Sequence, residues 1–227
     1  CIRDRFSPDV RDVLDFRPIL FITGVLMLPL AVAMCLPAIA DVAADNPDWQ
    51  GFLTAAVFTL FVGGTLALSS RGNIRTITPR QGFVLTTTLW LVIPAFAALP
   101  VAFADMDLSY TDAFFESMSG LTTTGSTVIR SLDVAPPGVL IWRALLQWLG
   151  GIGVIAMAIA ILPLLRIGGM QLFRMESSDR SEKAMPRTTQ LVAYIAFIYL
   201  AASVVCAIAY WAAGMRGFDA IAHAMTT

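Results

Sequence analysis

Charged residues are scarce in this sequence: Lys, Arg, Asp and Glu make up 14% of its 227 residues. A soluble domain carries about 25% charged residues, so the shortage argues against an ordinary globular fold. The hydrophobic content is 57%, and long uncharged runs separate the few charges. We therefore expect an integral membrane protein.

The residues on which many enzymes and metal sites rely are almost missing as well. The sequence has three cysteines and one histidine, His223, and no Cys-x-x-Cys pair or Cys/His cluster. We expect no disulfide framework and no zinc site, and the cysteines should act as small apolar side chains. No motif pairs a nucleophile with a base, so we expect neither an enzyme nor a cofactor. A net charge of −1 gives no indication of a nucleic-acid partner.

Five apolar runs lie between the charged segments, and each can cross the hydrocarbon core of a bilayer as a helix. About 20 residues, each rising 1.5 Å, span the roughly 30 Å required. The runs cover residues 19–40, 52–68, 83–104, 139–165 and 191–213. The first run is too long for the apolar core of a signal peptide. The predicted fold class is an all-α membrane protein.

Basic and acidic residues fall on opposite sides of the membrane in this arrangement. Twelve of the 15 Lys and Arg residues precede span 1, or lie between spans 2 and 3 or spans 4 and 5. The other loops are rich in acidic residues: Asp41, Asp45, Asp48, Asp105, Asp107, Asp112, Glu116, Asp133 and Asp219. Because basic loops stay inside, we predict a cytoplasmic N-terminus. Residues 1–18 predict an amphipathic helix on the membrane surface, with a solvated tail as the alternative.

The segment 105–138, between spans 3 and 4, is too apolar for an ordinary outer loop. Its apolar residues predict a helix over Tyr110–Leu121, which is too short to cross the membrane. A run of hydroxyl side chains around one glycine, Thr122–Thr127, follows this helix. A short helix, a Thr/Gly strand and a second helix are typical of a re-entrant pore loop. A polar turn in an outer loop is the alternative.

Such a loop can bind cations through its backbone. Irregular backbone at membrane depth is tolerated only where it lines protein or water. In a potassium filter, carbonyl oxygens replace the hydration shell of the ion, and glycine allows the angles that turn a carbonyl inward. The dipole at the C-terminal end of the short helix favours a cation. We also expect Asp112 and Glu116 to raise the cation concentration at the outer mouth.

A partial internal repeat supports the pore-loop interpretation. Asp112–Ser119 has a counterpart at Asp219–Thr226, and both begin with Asp-Ala and end with a small residue, Met and a hydroxyl residue. Each follows a span that runs from inside to outside. We therefore expect the chain to stop within a second pore helix.

Four stretches make the sequence resemble a known family. They are Phe16–Leu20, Phe115–Gly125, Gln147–Gly153 and Phe218–Ala220. On these residues the chain resembles the membrane subunits of the Trk/Ktr/HKT potassium-transporter superfamily, closest to the Trk type, and looks like the N-terminal half of one. The resemblance implies repeated span–pore–span units around one pore, and potassium uptake with K+ as the transported ion.

The same resemblance divides the chain into five parts. They are a cytoplasmic N-terminus (1–18), a leading two-helix unit (19–82), a first span–pore–span unit (83–165) with its filter at 122–127, a cytoplasmic loop (166–190) and the start of a second unit (191–227). The loop 166–190 would either dock a cytosolic regulator or only carry the basic residues that keep it on the cytoplasmic side.

The resemblance also implies site residues and partners. The residues that would bind K+ through backbone carbonyls are Thr123, Thr124, Gly125 and Ser126. The residues that would support this filter are Thr122, Thr127 and Glu116. The family implies a homodimer in the bacterial inner membrane, with a nucleotide-binding regulatory subunit on the cytosolic side.

Three glycines in span 4, Gly150, Gly151 and Gly153, predict close packing of this helix against the pore loop. Arg143 is expected to snorkel or to pair with an outer-face carboxylate. Two other functions stay open. A secondary transporter of another small solute would need polar residues near the midplane, and these spans have almost none. A non-conducting scaffold or accessory subunit is the second alternative.

Overall fold

The computed structural model describes residues 15–72, 78–161 and 184–227, and these form eight α-helices and one short 3-10 turn. The helices are α1 (Arg17–Ala33), α2 (Cys35–Ala43), α3 (Trp49–Ser69), α4 (Pro79–Phe103), α5 (Tyr110–Leu121), α6 (Pro137–Ile161), α7 (Ala184–Ala212) and α8 (Gly217–Thr226). The amphipathic helix predicted within residues 1–18 and most of the loop 166–190 lie outside the described residues.

In the described part of the chain, five apolar helical segments are long enough to cross a membrane, which confirms the five predicted spans and the all-α fold. They are Arg17–Ala43, Trp49–Ser69, Arg80–Phe103, Pro137–Ile155 and Ala193–Ala212. The first combines α1 and α2, which are separated at Met34. Pro37 accounts for this break, because it has no N–H for the carbonyl of Ala33 and its ring crowds that carbonyl.

The helices α1 and α3 pack with their backbones in contact. A Cβ atom on Gly24 would lie 2.7 Å from the carbonyl oxygen of Gly63, and one on Gly63 would lie 2.8 Å from the Cβ of Met27. Small residues let membrane helices approach this closely, and dispersion then stabilises the pair. These two helices therefore form a closely packed pair.

Hydrogen bonds between loops join elements at both ends of the helix bundle. At one end, Nε2 of Gln81 donates to the carbonyl of Asp15 over 3.0 Å, which joins the start of α4 to the segment before α1. At the other end, the amide of Asp105 donates to Oδ1 of Asp48 over 3.3 Å. The chain therefore crosses back and forth, and loops predicted to share a side lie together.

The core lies toward the acidic end of the bundle, where α5 packs between α4 and α6. Phe52 and Trp142 are fully buried there, and their rings meet edge to face with centroids 6.2 Å apart. The indole Nε1 of Trp142 donates to the carbonyl of Ala97 over 2.8 Å. These contacts join α3, α4 and α6 around α5, whose bounds agree with the predicted short helix Tyr110–Leu121.

The helix α7 lies beside α6 and presents most of its surface outward. None of the most apolar part of its span, Ala193–Ala212, is buried. Its contact with α6 includes Nε1 of Trp148 donating to Oγ of Ser203 over 2.9 Å, and the hydroxyl of Tyr199 donating to the carbonyl of Trp148 over 3.1 Å. The exposed apolar side chains along this span suit contact with lipid or with further membrane helices.

Gly63→Ala is expected to destabilise the α1–α3 contact, whereas the same change at the neighbouring Gly64 is not. A Cβ at Gly63 meets Met27, while nothing lies within 4 Å of one at Gly64. Overpacking costs about 1–3 kcal/mol, so the melting temperature of the Gly63 variant should fall by several degrees. Thermal unfolding of both variants in detergent measures the difference, and equal melting temperatures would contradict this packing.

Candidate functional site

The helix α5 begins at a side-chain cap that sets its position at the acidic end of the bundle. Oγ of Ser109 accepts the amide of Asp112 over 3.2 Å, and Oδ2 of Asp112 accepts the amide of Ser109 over 3.1 Å. This reciprocal capping box satisfies two amides that the first turn leaves free. The hydroxyl of Tyr110 donates to the carbonyl of Ala95 over 2.9 Å and joins the same turn to α4.

The loop that follows α5 turns its amides back toward the end of that helix. The amide of Thr123 donates to the carbonyl of Gly120 over 2.9 Å, and those of Thr124 and Gly125 donate to the carbonyl of Ser119 over 2.9 and 3.3 Å. Within the described ranges, no protein group donates to the carbonyl oxygens of Thr123, Thr124 or Gly125. These oxygens are therefore available to a cation.

Left-handed backbone angles produce this arrangement. Thr123 has a φ of 57° and Gly125 a φ of 76°, while Thr122 has a φ of −80°. Alternation between right-handed and left-handed angles brings successive N–H groups to one side of the chain. A β-branched residue such as Thr123 rarely adopts this region, which costs about 1–2 kcal/mol. Backbone strain of this kind is concentrated at functional sites.

Hydroxyl groups near the loop also have defined partners. Oγ1 of Thr122 donates to the carbonyl of Met118 over 2.8 Å and lies 2.9 Å from Oγ1 of Thr124. Oγ of Ser119 donates to the carbonyl of Ser126 over 2.7 Å. The Ser126 carbonyl therefore differs from the three before it, since one of its lone pairs already has a donor.

The carboxylate of Glu116 joins the loop to the rest of the protein. Its Oε1 accepts Oγ1 of Thr127 over 2.6 Å and the amides of Val128 and Ile129 over 2.5 and 3.3 Å. Its Oε2 accepts Nε of Arg143, in α6, over 2.7 Å. The side chain of Glu116 is fully buried and that of Arg143 is 11% exposed. A buried ion pair with this many donors has a single favourable geometry.

These contacts decide two of the expectations drawn from the sequence. The prediction that Glu116 raises the cation concentration at the outer mouth is wrong, because its charge is buried and paired with Arg143. The alternative that Arg143 pairs with a carboxylate is confirmed, and its partner is the buried Glu116. Asp112, the other acid expected at the mouth, lies at the first turn of α5, where its carboxylate completes the cap.

One face of α6 lies along the loop. Arg143 reaches Glu116 from this face, and Oε1 of Gln147 lies 3.7 Å from where a Cβ on Gly125 would be. A Cβ on Gly150 would overlap the carbonyl of Leu121 at the end of α5. Positions 143, 147 and 150 share one helix face, so their spacing could have identified this contact from the sequence. Sequence reasoning missed Gln147.

The three glycines of span 4 have different surroundings. Gly150 lies against the end of α5, as a packing role requires. Gly151 faces α7 instead, where a Cβ would lie 2.5 Å from the hydroxyl of Tyr199. Around Gly153, nothing in the described part of the chain lies within 4 Å of a Cβ. Contact with the end of α5 therefore accounts for Gly150 alone among the three glycines.

A cavity of about 750 Å³ separates the loop from α8. Gly125, Arg143 and Gln147 line one side, and Asp219 and His223 line the other. Nδ1 of His223 lies 2.8 Å from the carbonyl of Asp219, one turn earlier. The second Asp-Ala segment thus forms a short helix that faces the first loop across open space.

The sequence of this chain is similar to those of known transport proteins. A family model described as TrkH, cation transport protein, matches residues 49–227. The chain is 42% identical over 229 residues to the Trk system potassium uptake protein TrkI of Halomonas elongata, covering 96% of this chain and 45% of that protein. It is 40% identical over 217 residues to TrkH of Vibrio parahaemolyticus, covering 94% and 45%.

A solved structure is similar as well. The crystal structure of the potassium transporter TrkH from Vibrio parahaemolyticus matches with a TM-score of 0.82 and 38% sequence identity. The match covers 93% of this chain and 42% of that one. The chain therefore spans less than half the length of the relatives it matches.

Arg143→Met is expected to destabilise the protein strongly, because it leaves the Glu116 carboxylate buried without its counter-charge. Breaking one partner of a buried pair costs about 3–5 kcal/mol. The matched control is Arg216→Met, which breaks the exposed pair with Asp219 and should have little effect. Thermal unfolding in detergent provides the comparison.

The double variant Glu116→Gln with Arg143→Met should recover part of the loss, because no buried charge then remains. A double variant no more stable than Arg143→Met would show that the charge pair is not the cause.

Proposed function

Because this chain belongs to the TrkH family of cation transport proteins, we propose that it is part of a potassium-uptake protein with a channel-like pore. The segment Thr122–Thr127 would be one strand of its selectivity filter. Potassium is the transported ion and the protein has no enzymatic role. The relatives are named as potassium uptake proteins, which supports this choice of ion.

The free carbonyls of the loop support the proposal most directly. Three successive amides are bonded to the last turn of α5, and the three carbonyls of Thr123, Thr124 and Gly125 have no protein donor in the described residues. Potassium filters bind a dehydrated ion through backbone carbonyl oxygens. The C-terminal end of α5 adds a favourable dipole.

The three free carbonyls are the K+ ligands that we propose for this strand. Ser126 contributes less, because its carbonyl already accepts Oγ of Ser119. Thr122, Thr127 and Glu116 support the strand through their hydrogen bonds rather than by touching the ion. One strand supplies part of an ion's coordination shell, and the other strands would come from further span–pore–span units.

The location that we propose is the bacterial inner membrane, and the charge distribution supports an N-terminus in the cytoplasm. The end of the bundle that holds the start of α4 carries Arg17, Arg71 and Arg80, and the end that holds α5 carries Asp48 and Asp105. Basic loops remain in the cytoplasm. In this orientation the candidate filter opens toward the outside, and the proposed division is a leading unit (19–82), a first pore unit (83–165) and the start of a second (191–227).

The partners that we propose follow from family membership. They are a second copy of the protein and a cytosolic subunit that binds a nucleotide and regulates transport. The relatives are named as members of a Trk system, which supports an assembly of several components. We propose that the regulatory subunit docks on the loop 166–190, which would lie on the cytoplasmic side.

Growth of a bacterium without its own potassium-uptake systems tests the function. Expression of the natural gene product should restore growth at submillimolar potassium, with uptake of K+ or Rb+ into the cells. A product that reaches the membrane and restores neither growth nor uptake would contradict the proposal, and would favour the accessory-subunit alternative.

Gly125→Ser is expected to weaken the preference for K+ over Na+. A side chain at a φ of 76° costs about 1–2 kcal/mol, and relieving that strain turns the Gly125 carbonyl away from the ion. A change of 1.4 kcal/mol corresponds to about tenfold in the selectivity ratio. Fluxes of both ions into proteoliposomes give the ratio.

Gly153→Ser is the control for this variant, because nothing in the described residues lies within 4 Å of a Cβ there. It should leave the ratio unchanged. An unchanged ratio in the Gly125 variant would remove Gly125 from the filter.

A further inference from the structure

Asp41, near the end of the first span, is completely buried although it carries a carboxylate. Its Oδ1 accepts the amide of Gly138 over 2.6 Å. In the described part of the chain, its Oδ2 has no hydrogen-bond partner. A buried carboxylate with one unbonded oxygen is unfavourable compared with an apolar residue of similar size. The residue therefore needs an explanation other than packing.

The Gly138 amide is the first amide that α6 offers. Pro136 and Pro137 precede it and have no N–H, and the carbonyl of Pro136 is already bonded to the amide of Leu140 over 3.1 Å. A carboxylate at this point satisfies a free amide and faces the positive end of the helix dipole. Asp41 thus acts as the N-terminal cap of a helix that begins almost 100 residues later.

Steric contact makes this cap specific. A Cβ on Gly138 would overlap Oδ2 and the Cγ of Asp41, and would lie 2.7 Å from Oδ1. The carboxylate therefore lies directly against the backbone of α6. Neither a longer side chain at position 41 nor any side chain at position 138 would fit. The position of α6 relative to α2 is set at this point.

The same helix carries the groups that contact the candidate filter loop. Arg143 holds Glu116, Gln147 lies beside Gly125, and Gly150 lies against the end of α5. Gly150 lies about 18 Å along the axis from Gly138, at 1.5 Å per residue. A shift or rotation of α6 at its first turn would therefore displace all three contacts together.

We propose that Asp41 is a positioning residue for the selectivity filter, which acts through α6 from the leading two-helix unit. Asp41 precedes residues 49–227, the part matched by the family model. The leading unit then has a part in ion selection in addition to its place in the membrane. This inference rests on the proposed function, because it assumes that the loop selects ions.

The test compares Asp41→Leu and Asp41→Asn in the natural gene product, reconstituted in proteoliposomes. Leu removes the acceptor, and the K+/Na+ flux ratio should fall severalfold, because a displaced α6 moves the contacts of Arg143, Gln147 and Gly150 with the loop and α5. Asn keeps an oxygen for the Gly138 amide, so its ratio should stay within about twofold of the wild type. The ratio does not depend on how much protein is inserted.

Asp45→Asn is the matched control, because it removes an exposed charge from the turn that follows α2. It should leave the ratio unchanged. If the Leu variant does not reach the membrane, Asp41→Ser replaces it, since its shorter side chain does not reach Gly138 and can bond to the preceding turn. The same loss is expected.

The outcomes distinguish a failure of the proposed function from a failure of the proposed role of Asp41. A wild-type protein without K+ flux contradicts the proposed function itself. A wild-type protein with selective flux, together with an unchanged ratio in the Leu or Ser variant, contradicts only the role of Asp41. An Asn variant that loses selectivity as fully as the Leu variant would exclude the hydrogen bond as the cause.

Discussion

Irregular backbone can lie at membrane depth only if its amides have partners, and the loop after α5 meets this requirement with two carbonyls of the helix before it. Ser119 and Gly120 accept the amides of Thr123, Thr124 and Gly125. The carbonyls of Thr123, Thr124 and Gly125 have no protein donor in the described residues, so the same loop combines bonded amides with oxygens that could bind a cation.

The contacts around Glu116 extend this constraint to the rest of the fold. The exit of the loop is held both by the buried side chain of Ile129 and by polar groups. The buried carboxylate accepts two loop amides and the Thr127 hydroxyl, and its other oxygen is paired with Arg143. The charge of Glu116 is therefore used inside the protein, where it holds the loop to α6.

The helix α6 is the common support of these contacts, and three different elements determine its own position. Asp41 of α2 bonds its first amide, Ala97 of α4 accepts the indole of Trp142, and Glu116 of α5 pairs with Arg143. All three lie within its first two turns. The first three helices, with their close α1–α3 packing, are thereby joined through α6 to the candidate filter.

The sequence by itself determined features that depend on local chemistry. Apolar runs determined the five spans, cap residues and apolar spacing determined the helix Tyr110–Leu121, and the position of Gly125 determined the place of the loop. The tertiary structure alone decided that Glu116 is buried against Arg143. The same holds for the contact between Asp41 and Gly138, which are 97 positions apart. Such contacts depend on how helices distant in sequence are placed against one another, and no local pattern of residues specifies that placement.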